Sequence, residues 1–166
     1  MRRSKSLWMF VGLATLTIGI GLWHELPHSR RSVLGDGQPA LTTMVLPNAP
    51  GGVLTVEIAD ESEERMNGLS RRDGLEPGRG MLFLFPQAAV HAFWMKEMRF
   101  PLDIIYLRDG VVVQVFAQVP APLPGEEPRT VEPRGPIDAV LELPAGEAAR
   151  RGISEGVYFQ GLPSLR

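Results

Sequence analysis

Leu102–Val119 reads LDIIYLRDGVVVQVFAQV. Two β-branched, apolar runs flank Asp109-Gly110. Both residues of that dipeptide tolerate positive φ, so it closes a two-residue hairpin turn whose twist matches the strands. The turn sets an expected register. Arg108 faces Val111, Tyr106 faces Val113, Ile104 faces Val115 and Leu102 faces Ala117. Side chains alternate with period two. One face is therefore Leu102, Ile104, Tyr106, Val111, Val113, Val115 and Ala117, a core face. The other carries Asp103, Ile105, Leu107, Val112, Gln114, Phe116 and Gln118 and is half polar. Asp103 sits opposite Phe116, with Gln114 and Gln118 as diagonal neighbours within side-chain reach.

Working outward, 41–46 and 53–58 are two more β-like runs, joined by the turn-forming PNAPGG. ADESEERMNGL is expected to be a short helix, with Asp60 as cap, Glu63 completing a capping box and Gly68 at its stop. MLFLF is a short buried strand that Pro86 ends, and AFWMK is extended. Residues 121–133 form a proline-rich acidic loop, long enough for a lid. IDAVLELPAGEAARRGI is a strand followed by a short helix closed at Gly152, and GVYFQ is a last strand. About seven short strands and two short helices predict a mainly β (α+β) single domain, either a barrel or sandwich-like. There is no internal repeat.

The chain has 166 residues, with Gly 18, Pro 15 and no cysteine. That excludes thiol catalysis, disulfides and thiolate metal sites. The charge is uneven. Residues 36–166 hold 12 Lys+Arg and 18 Asp+Glu, net −6, which argues against a nucleic-acid partner, since phosphates need a basic face. The start is basic: Arg2, Arg3 and Lys5 precede the uncharged Leu7–Trp23. As a helix that segment is about 26 Å long at about 1.5 Å per residue, near the short end of a bilayer span. Trp8 and Trp23 bracket it as interfacial anchors do. Residues 1–28 are expected to be a signal-anchor or a cleaved signal peptide. Residues 29–40 form a linker, and 41–162 a globular domain. Positive-inside logic places that domain outside the cytoplasm, periplasmic or in the envelope.

HAFWMKEMRFPLDIIYL, His91–Leu107, gathers aromatic and methionine side chains around a few charges. Lys96 is the only lysine after Lys5; every other cation of the domain is arginine. If AFWMKEM is extended, Trp94, Lys96 and Met98 share a face. Asp103, Lys96 and Arg99 then form either a pair that holds strands in register or part of a binding patch with Trp94, Gln114 and Gln118. A Lys96–Asp103 catalytic pair is the third reading. His24, His28 and His91 lack metal-ligand spacing, and no triad, Walker or G-x-G-x-x-G pattern is present.

VEIADESEERMNGLSRRDGLEPGRGMLFLFP, FWMKEMRFPLDIIYL and VLELPAG, in that order, resemble the DUF192 (UPF0127) family of small, often exported prokaryotic proteins. The likeness covers about Leu54–Tyr158. It implies one β-rich domain with short helices and no established enzymatic activity. Separately, the residues suggest no cofactor. The family's F-W-M-K and P-L-D-I segments match Phe93–Lys96 and Pro101–Ile104. Where members read K-N-T, this chain has Lys96, Glu97 and Met98. The functional expectation is a membrane-tethered, extracytoplasmic module that binds a ligand or envelope partner without catalysis. The alternatives are an envelope hydrolase built on Asp103 and Lys96, and a purely structural module.

Overall fold

The computed structural model describes residues 42–46 and 48–162. The expected membrane segment and linker lie outside them. The chain order is β1 (Thr42–Leu46), β2 (Leu54–Ala59), α1 (Ser62–Asn67), β3 (Arg79–Ala89), β4 (Phe93–Trp94), β5 (Leu102–Arg108), β6 (Val111–Val119), β7 (Thr130–Val131), β8 (Ile137–Pro144) and α2 (Glu147–Arg151). Six strands form one sheet in the order β1-β2-β3-β8-β5-β6, and β4 pairs with β7 in a separate ribbon. All neighbours are antiparallel except β2 and β3. A parallel pair needs a crossover, which α1 and the following loop supply.

The fold is mainly β with two short helices, and the expected barrel does not close. β1 and β6 are opposite edges of the sheet. The outer edge of β6 is also taken. Val112 exchanges backbone hydrogen bonds with Val157 and Gly156, and Phe159 N–H donates to Gly110 O. GVYFQ is thus an edge cover with one isolated bridge, Val111 to Tyr158, and not a strand.

The sheet is covered on both faces. Leu54, Val56, Leu82, Ile105, Leu107, Leu141 and Leu143 pack with Ala148 and Phe159 on one side. Met81, Phe83, Leu102, Ile104, Tyr106 and Val140 pack with Leu69, Met95 and Met98 on the other. β5 is buried along Leu102–Leu107, so neither of its faces is the half-polar surface that alternation suggested.

Three local expectations shift. The helix cap moves one residue on: Glu64, not Glu63, accepts the Asp60 and Glu61 amides, at 3.1 and 3.0 Å. β3 runs on past Pro86, because pairing with β8 skips from Leu84 to Ala89 and a missing N–H costs nothing at such an irregularity. AFWMK is extended only at Phe93–Trp94. The hairpin turn forms as expected, with Asp109 at φ 49° and Gly110 at 78°.

Candidate functional site

The turn after β4 carries the most exposed aromatic of its segment and the lone lysine of the domain. Phe93 points inward, edge-on to Phe83 with ring centres 4.9 Å apart. Alternation sends Trp94 outward, where it stays 54% exposed. Met95 N–H donates to Arg129 O, and Met98 N–H to Met95 O closes a tight turn with Lys96 and Glu97 at its tip. Glu97 has φ 57°. Met95 and Met98 are buried below as anchors.

The loop after α1 holds this turn from the side. Ser70 Oγ donates to Lys96 O at 3.0 Å, and Arg71 N–H donates to Glu97 O at 2.9 Å. The Arg71 guanidinium binds the Glu97 carboxylate, and that hydrogen bond holds Glu97 below the usual carboxylate range. Arg99 pairs with Asp73 at 2.6 Å. Lys96 forms no ion pair among the described residues; its Nζ lies 4.9 Å from the Trp94 ring centre, within cation–π range. Beside this ridge is an open depression of about 490 Å³, with Met98, Arg99 and Glu97 on one side and Pro122, Leu123 and Pro124 on the other.

The six residues suggested by sequence therefore separate. Trp94, Lys96 and Arg99 share the ridge. Asp103 is 1% exposed and does not pair with Lys96. Its two oxygens accept the Gln118 and Ala148 amides, each at 2.8 Å. It thereby joins β6 to the first turn of α2. Gln118, at φ 51°, contributes its backbone. Gln114 is buried, and its Oε1 accepts the Arg134 amide at 2.9 Å.

β-Bulges account for the separation. Leu107 pairs with Val112, but Tyr106 pairs with Gln114, so Val113 is the extra residue. One added residue reverses the facing of every later residue in the strand. Gln114 and Phe116 thus join the Tyr106 side, away from Asp103. A second irregularity between Leu102 and Ile104 brings the Gln118 amide to Asp103.

Sequence reading missed Glu142. It projects from β8 between Met81 of β3 and Ile104 of β5 and is 6% exposed. Among the described residues nothing donates a hydrogen bond to it. Burial pushes its carboxyl up to about 8. The available signal was a charged residue inside the apolar run AVLEL.

Comparison with known proteins fits this geometry. The model of the DUF192 family, described as an uncharacterized ACR, matches residues 45–160. This chain belongs to the DUF192 family. A crystal structure from Sinorhizobium meliloti 1021, provisionally named a transcription regulator, has TM-score 0.61 and 30% identity over 72% of this chain and 94% of that one. A protein of unknown function from Novosphingobium aromaticivorans DSM 12444 has TM-score 0.57 and 33% identity over 78% and 91% of the two chains. No curated protein matches the chain. In this DUF192 member the Phe93–Lys96 segment forms part of the ridge, and Asp103 of the Pro101–Ile104 segment is buried as a tie between β6 and α2.

Proposed function

We propose that this DUF192 protein is a non-catalytic binding domain, held outside the cytoplasm by its N-terminal apolar segment. It engages a ligand or envelope partner through the Trp94–Lys96–Arg99 ridge. The observation that carries the reading is the half-exposed Trp94 beneath the domain's one lysine, beside a turn fixed by two buried methionines and by hydrogen bonds from the Ser70 hydroxyl and the Arg71 amide to its carbonyls. Exposed aromatics on rigid turns supply contact area with little ordering cost. The hydrolase alternative required Asp103 and Lys96 within reach of each other. Asp103 is instead occupied by two amides. The net acidic domain supports a partner other than nucleic acid.

Two measurements test the proposal. Trp94 is the only tryptophan in residues 36–166, so the fluorescence of that piece reports directly on the ridge. The solved relatives consist almost entirely of this region, which supports its folding alone. Titration with saccharides, carboxylate and phosphate anions, and extended peptides is expected to give a saturable emission change with one class. Lys96→Met should weaken that binding roughly tenfold, as hot-spot truncations commonly do. No saturable change with any class, or indifference to Lys96→Met, would remove the ridge as a site. Separately, residues 1–40 fused to alkaline phosphatase should give an active reporter; an inactive one places the domain in the cytoplasm.

A further inference from the structure

His91 lies in the short connection between β3 and β4. Its ring is stacked on Phe85 of β3, with centres 3.7 Å apart and planes 13° from parallel. Among the described residues, the His91 Nε2 is a buried side-chain nitrogen with no hydrogen-bond partner. A neutral imidazole can leave one nitrogen as a bare acceptor. An imidazolium carries N–H at both nitrogens, and a charged donor shut away from water and from any acceptor is costly. Phe85 also connects the imidazole to the ridge. Its ring meets Phe93 edge-on at 6.4 Å, and Phe93 immediately precedes Trp94 in β4.

We infer that His91 is an acid-operated catch on β4: neutral, it closes on Phe85 and helps to hold the strand; protonated, it leaves the stack to reach water and loosens the strand that carries Trp94. The release rests on these contacts. That acid thereby discharges a bound ligand rests on the binding role proposed for the ridge.

The elements around the stack bring positive charge to it and no negative charge that pairs with it. From α1, Arg65 places its guanidinium carbon 5.5 Å from the Phe85 ring centre and is held there by Leu84 O at 3.0 Å and Ser62 Oγ at 3.4 Å. Glu64 of the same helix turns back to the Asp60 and Glu61 amides. β3 supplies Phe85 and the Gln87 backbone, and β4 supplies Phe93, all uncharged. An imidazolium on Phe85 would share that ring with Arg65, which weakens any cation–π gain. Burial therefore lowers the pKa of His91 below its ordinary value; the Gln87 backbone opposes the shift, and the Arg65 charge adds to it.

The sign follows from linkage. With a base depressed in the folded state, the contribution of the catch is complete above the ordinary value of 6.5 and is lost as pH falls through it. The opening constant then rises by up to about tenfold per pH unit until the ring protonates in place.

His91 is the only histidine in residues 36–166, so the imidazole proton resonances of that piece report its titration directly. The midpoint should lie below 6.5. Hydrogen exchange should show the Met95 amide, which bonds Arg129 O across the β4–β7 ribbon, losing protection by up to about tenfold from pH 7.5 to pH 5.5 after correction for intrinsic exchange. The Ile58 and Leu82 amides, in β2 and β3, should change far less. His91→Phe keeps a stacking ring without a titrating nitrogen and should leave Met95 protection flat. A midpoint at or above 6.5, or constant Met95 protection in the wild type, would overturn the catch. An equal fall in His91→Phe would overturn it too, as would an equal fall at Ile58 and Leu82, which would make His91 a determinant of global stability only. No ligand enters these readouts, so they stand whether or not the ridge binds one.

Discussion

Asp103→Ala should lower stability by about 3–5 kcal/mol, within the range for two backbone amides left without an acceptor. Two backbone amides, Gln118 N–H and Ala148 N–H, lose their acceptor. An unsatisfied buried donor such as the Ala148 amide costs about 1–3 kcal/mol, and the partly buried Gln118 amide lies toward the lower end of that range. Both amides belong to special places. One is the left-handed residue of a β-bulge, held at φ 51°. The other is in the first turn of α2, where negative charge is favoured by the exposed N–H groups. For a domain of this size the melting temperature should fall by roughly 10–20 °C. Asp103→Asn retains one acceptor and turns an NH2 group toward the other amide, so it should lose about half as much. Lys96→Met, in the same stretch of sequence but on the exposed ridge, should stay within about 0.5 kcal/mol of wild type, as exposed substitutions do. Thermal unfolding of the three variants side by side decides the matter. Equal losses for Asp103→Ala and Lys96→Met would mean that the two side chains act as one unit, contrary to the geometry.

Arg151→Met should be as damaging, by about 3–5 kcal/mol, through a different connection. The Arg151 side chain is 10% exposed and Glu147 6%. Their bond is 2.7 Å, and the same guanidinium donates to Gly52 O and Val53 O at 3.1 and 3.2 Å. Glu147 also accepts from Arg150 at 2.7 Å and from the Gly78 amide at 3.3 Å. One ion pair thus fastens α2 to the β1–β2 turn and to the entry of β3. The contact is close enough that Gly51, at φ 73°, could not carry a side chain: an added Cβ would come within 2.7 Å of Arg151 Cα. Burial works to raise the Glu147 carboxyl, and the hydrogen bonds from Arg150 and Arg151 outweigh it, leaving it below the ordinary value. A depressed carboxyl contributes stability above its unfolded pKa and loses it as pH falls through the folded one. The deficit of Glu147→Gln against wild type should therefore shrink in acid below the ordinary carboxylate range. A pH-independent deficit would show that packing, not charge, holds α2 in place. Chemical denaturation from pH 7 to pH 3 supplies the test.

The two variants act on opposite ends of one short helix. α2 has five residues and is too short to persist on its own propensity. Asp103 holds its first turn from the sheet, and Arg151 holds its last turn against the β1–β2 turn. Loss of either contact should release the segment that covers Leu141 and Leu143.

Local chemistry determined much of this protein. Asp109-Gly110 imposes its hairpin because both residues tolerate the positive φ, 49° and 78°, of a two-residue turn whose twist matches the strands. Gly68 and Gly152 end the helices, and PNAPGG turns β1 into β2. The family's ordered segments were legible for the same reason, as contiguous strings. Trp94 and Lys96 were legible as a pair because they are two residues apart and their contact is local. Longer-range relations were decided by the folded chain alone. A bulge at Val113 has no signature in VVVQVF, yet it moves Gln114 to the face opposite Asp103. Asp103 finds its donors 15 and 45 residues away, at amides that every residue but proline possesses and no pattern marks. Glu142 looks like an ordinary strand glutamate until Met81 and Ile104 close on either side of it. Periodicity reports which side of a strand a residue takes, but strand order and bulges decide what lies on that side, and those are set by the packing of the whole sheet.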